Sequence, residues 1–187
     1  TEVNRLFVYA GGTEFWHSEF ASADKDTLLR FTSDGFETAE ELPKRSMGEA
    51  ETLAEFINYC VEESLTEHYA LILWDHGRGP VMGFGKDTGF SGDALTLAEI
   101  RSALQKTPFS GGRKLDWVGL DACLMASAEL ACVLSDHADY LVASQETEPY
   151  FGWEYAFLGR VGRCGTEELL GSIAEGYLGA CTDYYER

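Results

Sequence analysis

Two short hydrophobic runs in this sequence end on side chains capable of covalent chemistry. Leu71-Ile72-Leu73-Trp74-Asp75 leads into His76, followed by Gly77-Arg78-Gly79, and Trp117-Val118-Gly119-Leu120-Asp121-Ala122 leads into Cys123. A thiol and an imidazole in reach of each other are the minimum for acyl transfer. The thiolate attacks a carbonyl carbon and the imidazole protonates the departing amine. Taken singly, each residue has a bland reading, a strand-end core cysteine and a capping histidine; their matched settings are what point to chemistry. A helix predicted from Leu124 to Ser135 would set its positive end beside Cys123 and favour the thiolate there. Gly77 has no side chain to keep a substrate away, so its amide and that of Cys123 are the candidate oxyanion hole.

For His76 and Cys123 to meet, the two runs must lie side by side and point the same way. Four runs rich in β-branched and aromatic residues, Leu6 to Tyr9, Tyr69 to Trp74, Leu115 to Leu120 and Tyr140 to Ala143, are nearly continuous in apolar residues, as strands buried on both faces of a parallel sheet are. Helical signals separate them. Ser46-Met47-Gly48-Glu49 reads as a capping box ahead of Leu53, Ala54, Ile57, Cys60 and Val61 at helical spacing, and Thr96 to Glu99 repeats the pattern ahead of Ile100 and Leu104. A last helix is predicted from Thr166 towards the end. Leu28 to Leu42, with Ser33-Asp34-Gly35 as its turn, reads as a surface hairpin, and Gly83 to Asp93 as a mobile, exposed loop. Strands alternating with helices predict an α/β fold, a three-layer sandwich with a mainly parallel sheet and helices on both faces. Ligands bind such sheets at the carboxyl ends of the strands, where His76 and Cys123 stand.

Composition narrows the function classes. The 187 residues make one domain's worth of chain, and a 45% hydrophobic content supports a core despite a net charge of −18. A surface this acidic disfavours nucleic acid and anionic membranes and draws in cations. No apolar run has the ~18–20 residues a spanning helix needs. The start, Thr1-Glu2-Val3-Asn4, is not a signal peptide and runs almost directly into apolar sequence, which reads as a processed or trimmed piece. Five cysteines without C-x-x-C spacing disfavour a zinc ribbon. Cys60 and Cys132 are expected to be small core residues, and Cys164 and Cys181 are open to pairing if the protein is exported.

The runs around the two reactive residues resemble the clostripain-like cysteine peptidases, family C11. The resemblance lies in Tyr69-Ala-Leu-Ile-Leu-Trp-Asp-His-Gly and Gly119-Leu-Asp-Ala-Cys-Leu-Met-Ala, and continues through Ser144-Gln-Glu-Thr-Glu-Pro and Gly152-Trp-Glu-Tyr. Leu42-Pro-Lys, Met47-Gly48 and Leu53-Ala-Glu-Phe-Ile-Asn extend it upstream, so that it spans nearly the whole chain. It implies a caspase-like fold, a His76/Cys123 dyad, and cleavage after arginine or lysine in polypeptide substrates. Basic specificity needs a carboxylate at the pocket floor. Asp121, two residues before Cys123 and on its face of the strand, is the first choice; Glu146, Glu148 and Glu154 are the second. The family's habit of self-cleavage between histidine and cysteine makes Lys86 the expected processing site, with Lys106 and Lys114 as rivals, and a monomer or a processed two-chain form the expected product. The resemblance also implies export to the bacterial surface or medium. Members usually carry more chain on both sides, so residues 1–187 read as a single caspase-like domain, the core fragment of something longer. Arg78 departs from the family's usual glycine, and its side chain is placed either to cover the site or to pair with an acid.

Two other classes compete. One is a metal-dependent hydrolase with Asp75, His76, Asp121 and Cys123 as ligands, although the spacing matches no metal motif. The other is an inactive relative that holds basic peptides in an acidic groove. No metal or cofactor is expected, and a need for calcium leaves no readable trace in the sequence. His17, His68 and His137 are expected to be surface or capping residues.

Overall fold

The computed structural model describes residues 5–17 and 19–186. The expectation about Thr1 to Asn4 lies outside the described residues. Three parallel strands, β4 (Ala70–Trp74), β7 (Leu115–Asp121) and β8 (Ala138–Ala143), form the central sheet in the order β4-β7-β8. One face is covered by α1 (Ala50–Glu63), α3 (Leu97–Gln105) and α4 (Ala128–Leu134), through Leu53, Ile57, Ile100, Leu104 and Leu130 packed on Leu71, Val118 and Leu120. The other face is covered by a 3-10 segment (Tyr155–Arg160) and α5 (Thr166–Tyr185), whose Phe157, Leu169 and Ile173 pack with Trp117 and Trp153. This is the expected sandwich.

The alternation along β7 decides which residues reach the site. Val118, Leu120 and Ala122 belong to the first face, while Trp117, Gly119 and Asp121 turn towards the second. Gly119 is required there, since a Cβ would stand 2.9 Å from the ring of Trp153.

The first predicted strand belongs elsewhere. β1 (Phe7–Ala10) pairs antiparallel with β2 (Asp26–Thr32), which forms the expected hairpin with β3 (Gly35–Leu42) in a separate sheet. Its apolar run is used against α1, where Phe7 meets Tyr59 and Tyr9 meets Phe56 edge-on. The segment expected to be a mobile loop is ordered. Preceded by α2 (Gly79–Met82), it holds β5 (Phe84–Asp87), a 3-10 turn (Thr88–Phe90) and the start of β6 (Asp93–Leu95), with β5 and β6 paired antiparallel.

Capping differs between the two predicted boxes. Thr96 and Glu99 form a full capping box on α3. Ser46 does not cap α1: Glu49 is the N-cap residue, and Ser46 instead donates to Asp93 from its hydroxyl and accepts from Thr52 on its carbonyl. The 45–48 loop is held by buried carboxylates. Asp26 accepts from the Arg45 N–H at 2.9 Å and the Tyr9 hydroxyl at 3.0 Å, and Asp87, at the end of β5, accepts from the Met47 N–H at 2.9 Å. The first sheet, α1 and the hairpin after His76 are thereby tied together.

Cys132 is exposed on α4, contrary to the core role expected of it, because α4 turns that side to solvent. Cys60 is half-buried, and burial pushes its thiol up to about 12. Cys164 and Cys181 are both free thiols, so the bridge left open in the sequence is not formed. No helix among the described residues is long and apolar enough to cross a membrane.

Asp26 is fully buried, and that burial raises its carboxyl above the ordinary aspartate range. The folded chain therefore keeps this proton to higher pH than the unfolded one, and the group's favourable contribution is lost as pH rises through the raised value. Asp26→Asn removes that titration. Relative to the parent its stability should improve above about pH 4, by up to about 1.4 kcal/mol per pH unit until the parent group has ionised. Urea midpoints of both proteins across pH 4 to 8 measure the difference; one that does not change with pH refutes the account.

Candidate active site

The carboxyl ends of β4 and β7 are in register, Trp74 opposite Asp121, and the chain continues from each to His76 and Cys123. The contact behind them is closer than a side chain would allow. A Cβ on Gly77 would fall 1.9 Å from the Cys123 carbonyl oxygen and 2.8 Å from Met125 Cγ. The backbone after His76 is thus pressed onto the backbone of Cys123. His76 is exposed and Cys123 half-buried, so the edge they share opens to solvent.

The turn after His76 is braced from the hairpin. The His76 carbonyl accepts from the Gly85 N–H at 2.7 Å, and Asp75 accepts from the N–H groups of His76 and Lys86 at 2.5 and 3.0 Å. Among the described residues Arg78 pairs with no acid; it donates to the Gly85 carbonyl at 3.2 Å and braces the hairpin.

Past Cys123 the chain does not enter a helix, as the apolar spacing from Leu124 suggests. Leu124 adopts φ 62°, its N–H donates to the Glu146 carbonyl, and the Ala126 N–H donates to the Ser144 carbonyl. Helix α4 starts only after the N-cap Ser127, so its dipole is displaced from the sulfur. What reaches the sulfur instead is the segment after β8. The Glu148 N–H donates to Cys123 Sγ at 3.2 Å, the type of contact that steadies negative charge on sulfur.

The four acidic candidates separate. Asp121 is 3% exposed and accepts from the Trp153 N–H at 3.1 Å and the Tyr155 hydroxyl at 2.9 Å. Burial and the Asp121 charge hold the Tyr155 phenol protonated well beyond its usual range. Gly152, at φ 62°, is needed for this turn, since a Cβ would stand 2.8 Å from both Asp121 oxygens. Glu148 accepts from the indole N–H of Trp153 at 3.4 Å, while its Oε2 is buried without a donor. Burial first, and then the neighbouring Asp121, raise Glu148 to about 7. Glu146 is exposed and bonds through its backbone, and Glu154 caps the 3-10 segment through the Ala156 N–H. Trp153 and Tyr155, the partners of Asp121, carried no assigned role in the sequence; their signal was the Gly152-Trp-Glu-Tyr run.

The remaining candidates lie outside this cluster. Lys86 is on strand β5 with its N–H bonded to Asp75, Lys106 pairs with Glu51 at the end of α3, and Lys114 follows an irregular, exposed segment containing Gly111 and Gly112. His17 is exposed against Phe15, and His68 is exposed beside Asp116. His137 is buried rather than at the surface, because its ring bonds the Phe109 carbonyl at 2.7 Å as its N–H closes α4. Among the described residues, no three of His, Cys, Asp and Glu are grouped as metal ligands.

A family model described as the clostripain family matches residues 1–187. Clostripain of Hathewaya histolytica is 30% identical over 128 residues, which cover 59% of this chain and 23% of that one. Among solved structures, a secreted C11 cysteine protease from Bacteroides thetaiotaomicron, bound to an irreversible peptide inhibitor, superposes with a TM-score of 0.76 at 21% identity, covering 95% of this chain and 48% of that one. An inactive zymogen C11 protease from Parabacteroides distasonis gives 0.65 at 21% identity, covering 97% and 48%. The chain thus spans about half the length of these solved relatives and under a quarter of clostripain.

The Gly77 contact makes a direct test. Gly77→Ala must push the His76 turn off Cys123 and should destabilise the protein by about 1–3 kcal/mol or more. Gly159→Ala, where the Cβ meets nothing within 4 Å, should stay within about 0.5 kcal/mol of the parent. Urea denaturation of the two variants compares them directly.

Proposed function

The chain belongs to the clostripain family, and from that premise we propose that it is a cysteine endopeptidase cutting polypeptides after arginine or lysine. The observation that carries this reading is the fit of Gly77 onto the Cys123 carbonyl, which fixes the two strand ends against each other. In the first step Cys123 sulfur, as thiolate, bonds to the substrate carbonyl carbon. The carbonyl oxygen gains charge and is met by the Gly77 and Cys123 amides. His76 passes its proton to the leaving amine as the C–N bond breaks, leaving a thioester. His76 then takes a proton from water, whose oxygen attacks the thioester and restores the thiolate.

Asp121 is the proposed floor of the P1 pocket, and Glu148 stands with it. Supporting this is the place of Asp121 on the face of β7 that continues to Cys123, buried and, among the described residues, bonded by neutral donors, with Glu148 after β8 sharing Trp153 with it. Glu154 uses its carboxylate on the Ala156 N–H and Glu146 is exposed with, among the described residues, only its backbone bonded, so both rank behind Asp121 and Glu148 in this reading. A groove of about 350 Å³ lined by Phe151, Trp153, Glu154, Asp183 and Tyr184 offers aromatic and acidic surface to residues flanking a basic P1. Residues 1–187 act in this reading as one peptidase domain, exported as the Bacteroides thetaiotaomicron relative is. Neither nucleic acid nor a cofactor enters this reading.

Self-cleavage between His76 and Cys123 belongs to the same proposal, giving a two-chain product. Lys86, exposed where the β5–β6 pairing is irregular, stays the proposed site, because the bond after Lys114 enters the buried start of β7 and the one after Lys106 closes α3. Extended, unpaired backbone is what a protease groove accepts.

An arginyl chloromethyl ketone should add once, at Cys123, in intact mass and peptide mapping. The adduct should be absent with a neutral P1 analogue and lost in His76→Ala. Asp121→Ala should keep the nucleophile but lose the preference for arginine; if that preference survives, the pocket assignment is wrong. Incubating freshly folded protein should yield two chains that break after Lys86, and a persistent single chain refutes self-processing. Retained binding of arginyl peptides without any adduct would favour the non-cutting basic-peptide binder.

A further inference from the structure

Asp121 and Glu148 are two carboxyl groups brought together behind the nucleophile, and their surroundings do not treat them alike. Asp121 has Trp153 N–H and Tyr155 O–H donating to it. Glu148 has one weak donor, the Trp153 indole at 3.4 Å, and a buried Oε2 with none among the described residues. Two adjacent anions in a site largely shielded from water repel, and the usual resolution is that one of them keeps a proton. A proton on Glu148 would also give Oε2 its missing role, as a donor towards Asp121. The value of about 7 for Glu148, set by burial and by Asp121, agrees with this.

We propose that Asp121 and Glu148 hold one proton between them while the pocket is empty, and release it to solvent when a cationic P1 side chain enters. This rests on the reading of Asp121 and Glu148 as the P1 floor. The exchange conserves charge: two carboxylates with one proton carry −1, and two carboxylates with one guanidinium or ammonium also carry −1. A guanidinium has five N–H donors in a fixed fork and is able to satisfy Oε2 along with Asp121. A neutral side chain has no charge with which to displace the proton.

The other titratable groups around Glu148 are accounted for. Tyr155 and Tyr177 are phenols raised by burial and so stay neutral, Tyr177 with Cys181 as its partner on α5. Cys123 contacts the Glu148 backbone, and His76 ends the neighbouring strand. His76 is a second ionisable group near the pocket, and the Glu148→Gln arm separates its contribution from that of Glu148.

Removing the sulfur with Cys123→Ala keeps covalent chemistry out of the measurement. Calorimetric titration of that protein with an arginyl peptide amide, in buffers of different ionisation enthalpy, reads protons released on binding. Release should approach about one proton at pH 6 and fall towards none at pH 8.5, with affinity rising up to about tenfold per pH unit below about 7 and levelling above it. The citrulline peptide should bind weakly, with no release. Adding Glu148→Gln should abolish the release at pH 6. Selective arginine binding with no proton release, or release that persists with Glu148→Gln and so comes from His76, overturns the shared proton while leaving the P1 pocket standing. Arginine binding no better than citrulline overturns the pocket and the shared proton together. If the glutamine variant fails to fold, the same pH series on Cys123→Ala with His76→Ala added decides: release that persists supports the shared proton, and release that is lost overturns it.

Discussion

The arrangement around Cys123 depends on one steric fact, that the backbone at Gly77 lies where no side chain fits, against the carbonyl of Cys123. Parallel strands bring two chain ends to the same edge of a sheet but leave them about 4.8 Å apart at the backbone, free to diverge. Here they converge. The convergence needs a residue without Cβ on one side, a main chain that has left helical geometry on the other, and a brace that keeps the first from relaxing. Gly77, Leu124 at φ 62°, and the β5 hairpin bonded to Asp75 and His76 supply these three in turn.

A second set of backbone contacts is built on the first. Because residues 124–126 pair with residues 144–146 instead of coiling, the segment after β8 is drawn across the sulfur. Glu148 then contributes twice, through its N–H to Cys123 and through its carboxyl to the neighbourhood of Asp121. The region that would recognise a substrate and the atom that would attack it are linked through one residue's main chain. Trp153 and Gly152 close the arrangement from the α5 side, and Gly119 makes room for the Trp153 ring.

How much of this was legible in the sequence varied with the type of interaction. Apolar runs of period and length suited to buried strands gave β4, β7 and β8, because hydrophobic patterning is a local property. The same pattern misplaced β1, whose apolar residues face α1 and a hairpin rather than a parallel neighbour. His76 and Cys123 stood out by side-chain type, and Asp121 by parity with Cys123. What was not legible rests on main chain meeting main chain over long sequence separation: the pairing of 124–126 with 144–146, and the Lys86 N–H on Asp75. The glycine content of 83–93 suggested mobility, whereas several of those glycines serve positive-φ turns and close approaches within a hairpin, Gly83 lying 2.1 Å, in Cβ terms, from the Leu95 carbonyl oxygen. The Ser46 box failed as a cap because Asp93, far along the chain, takes the hydroxyl that the local pattern assigns to a helix.

The pairing of β4 with β7 has a consequence for the molecule as an assembly of parts. His76 lies on the amino-terminal side of every bond from 77 to 122, and Cys123 on the carboxyl-terminal side, so a break anywhere between them yields two pieces whose shared surface runs through the reactive centre. For a break after Lys86 that surface is the parallel β4–β7 ladder together with the packing of α1 on α3. Neither piece holds a whole reactive centre, and reassociation along the seam restores both halves at once. On the proposed reading of His76 and Cys123, the fold is a natural split protein, in which chemical competence and the joining of two fragments are the same event.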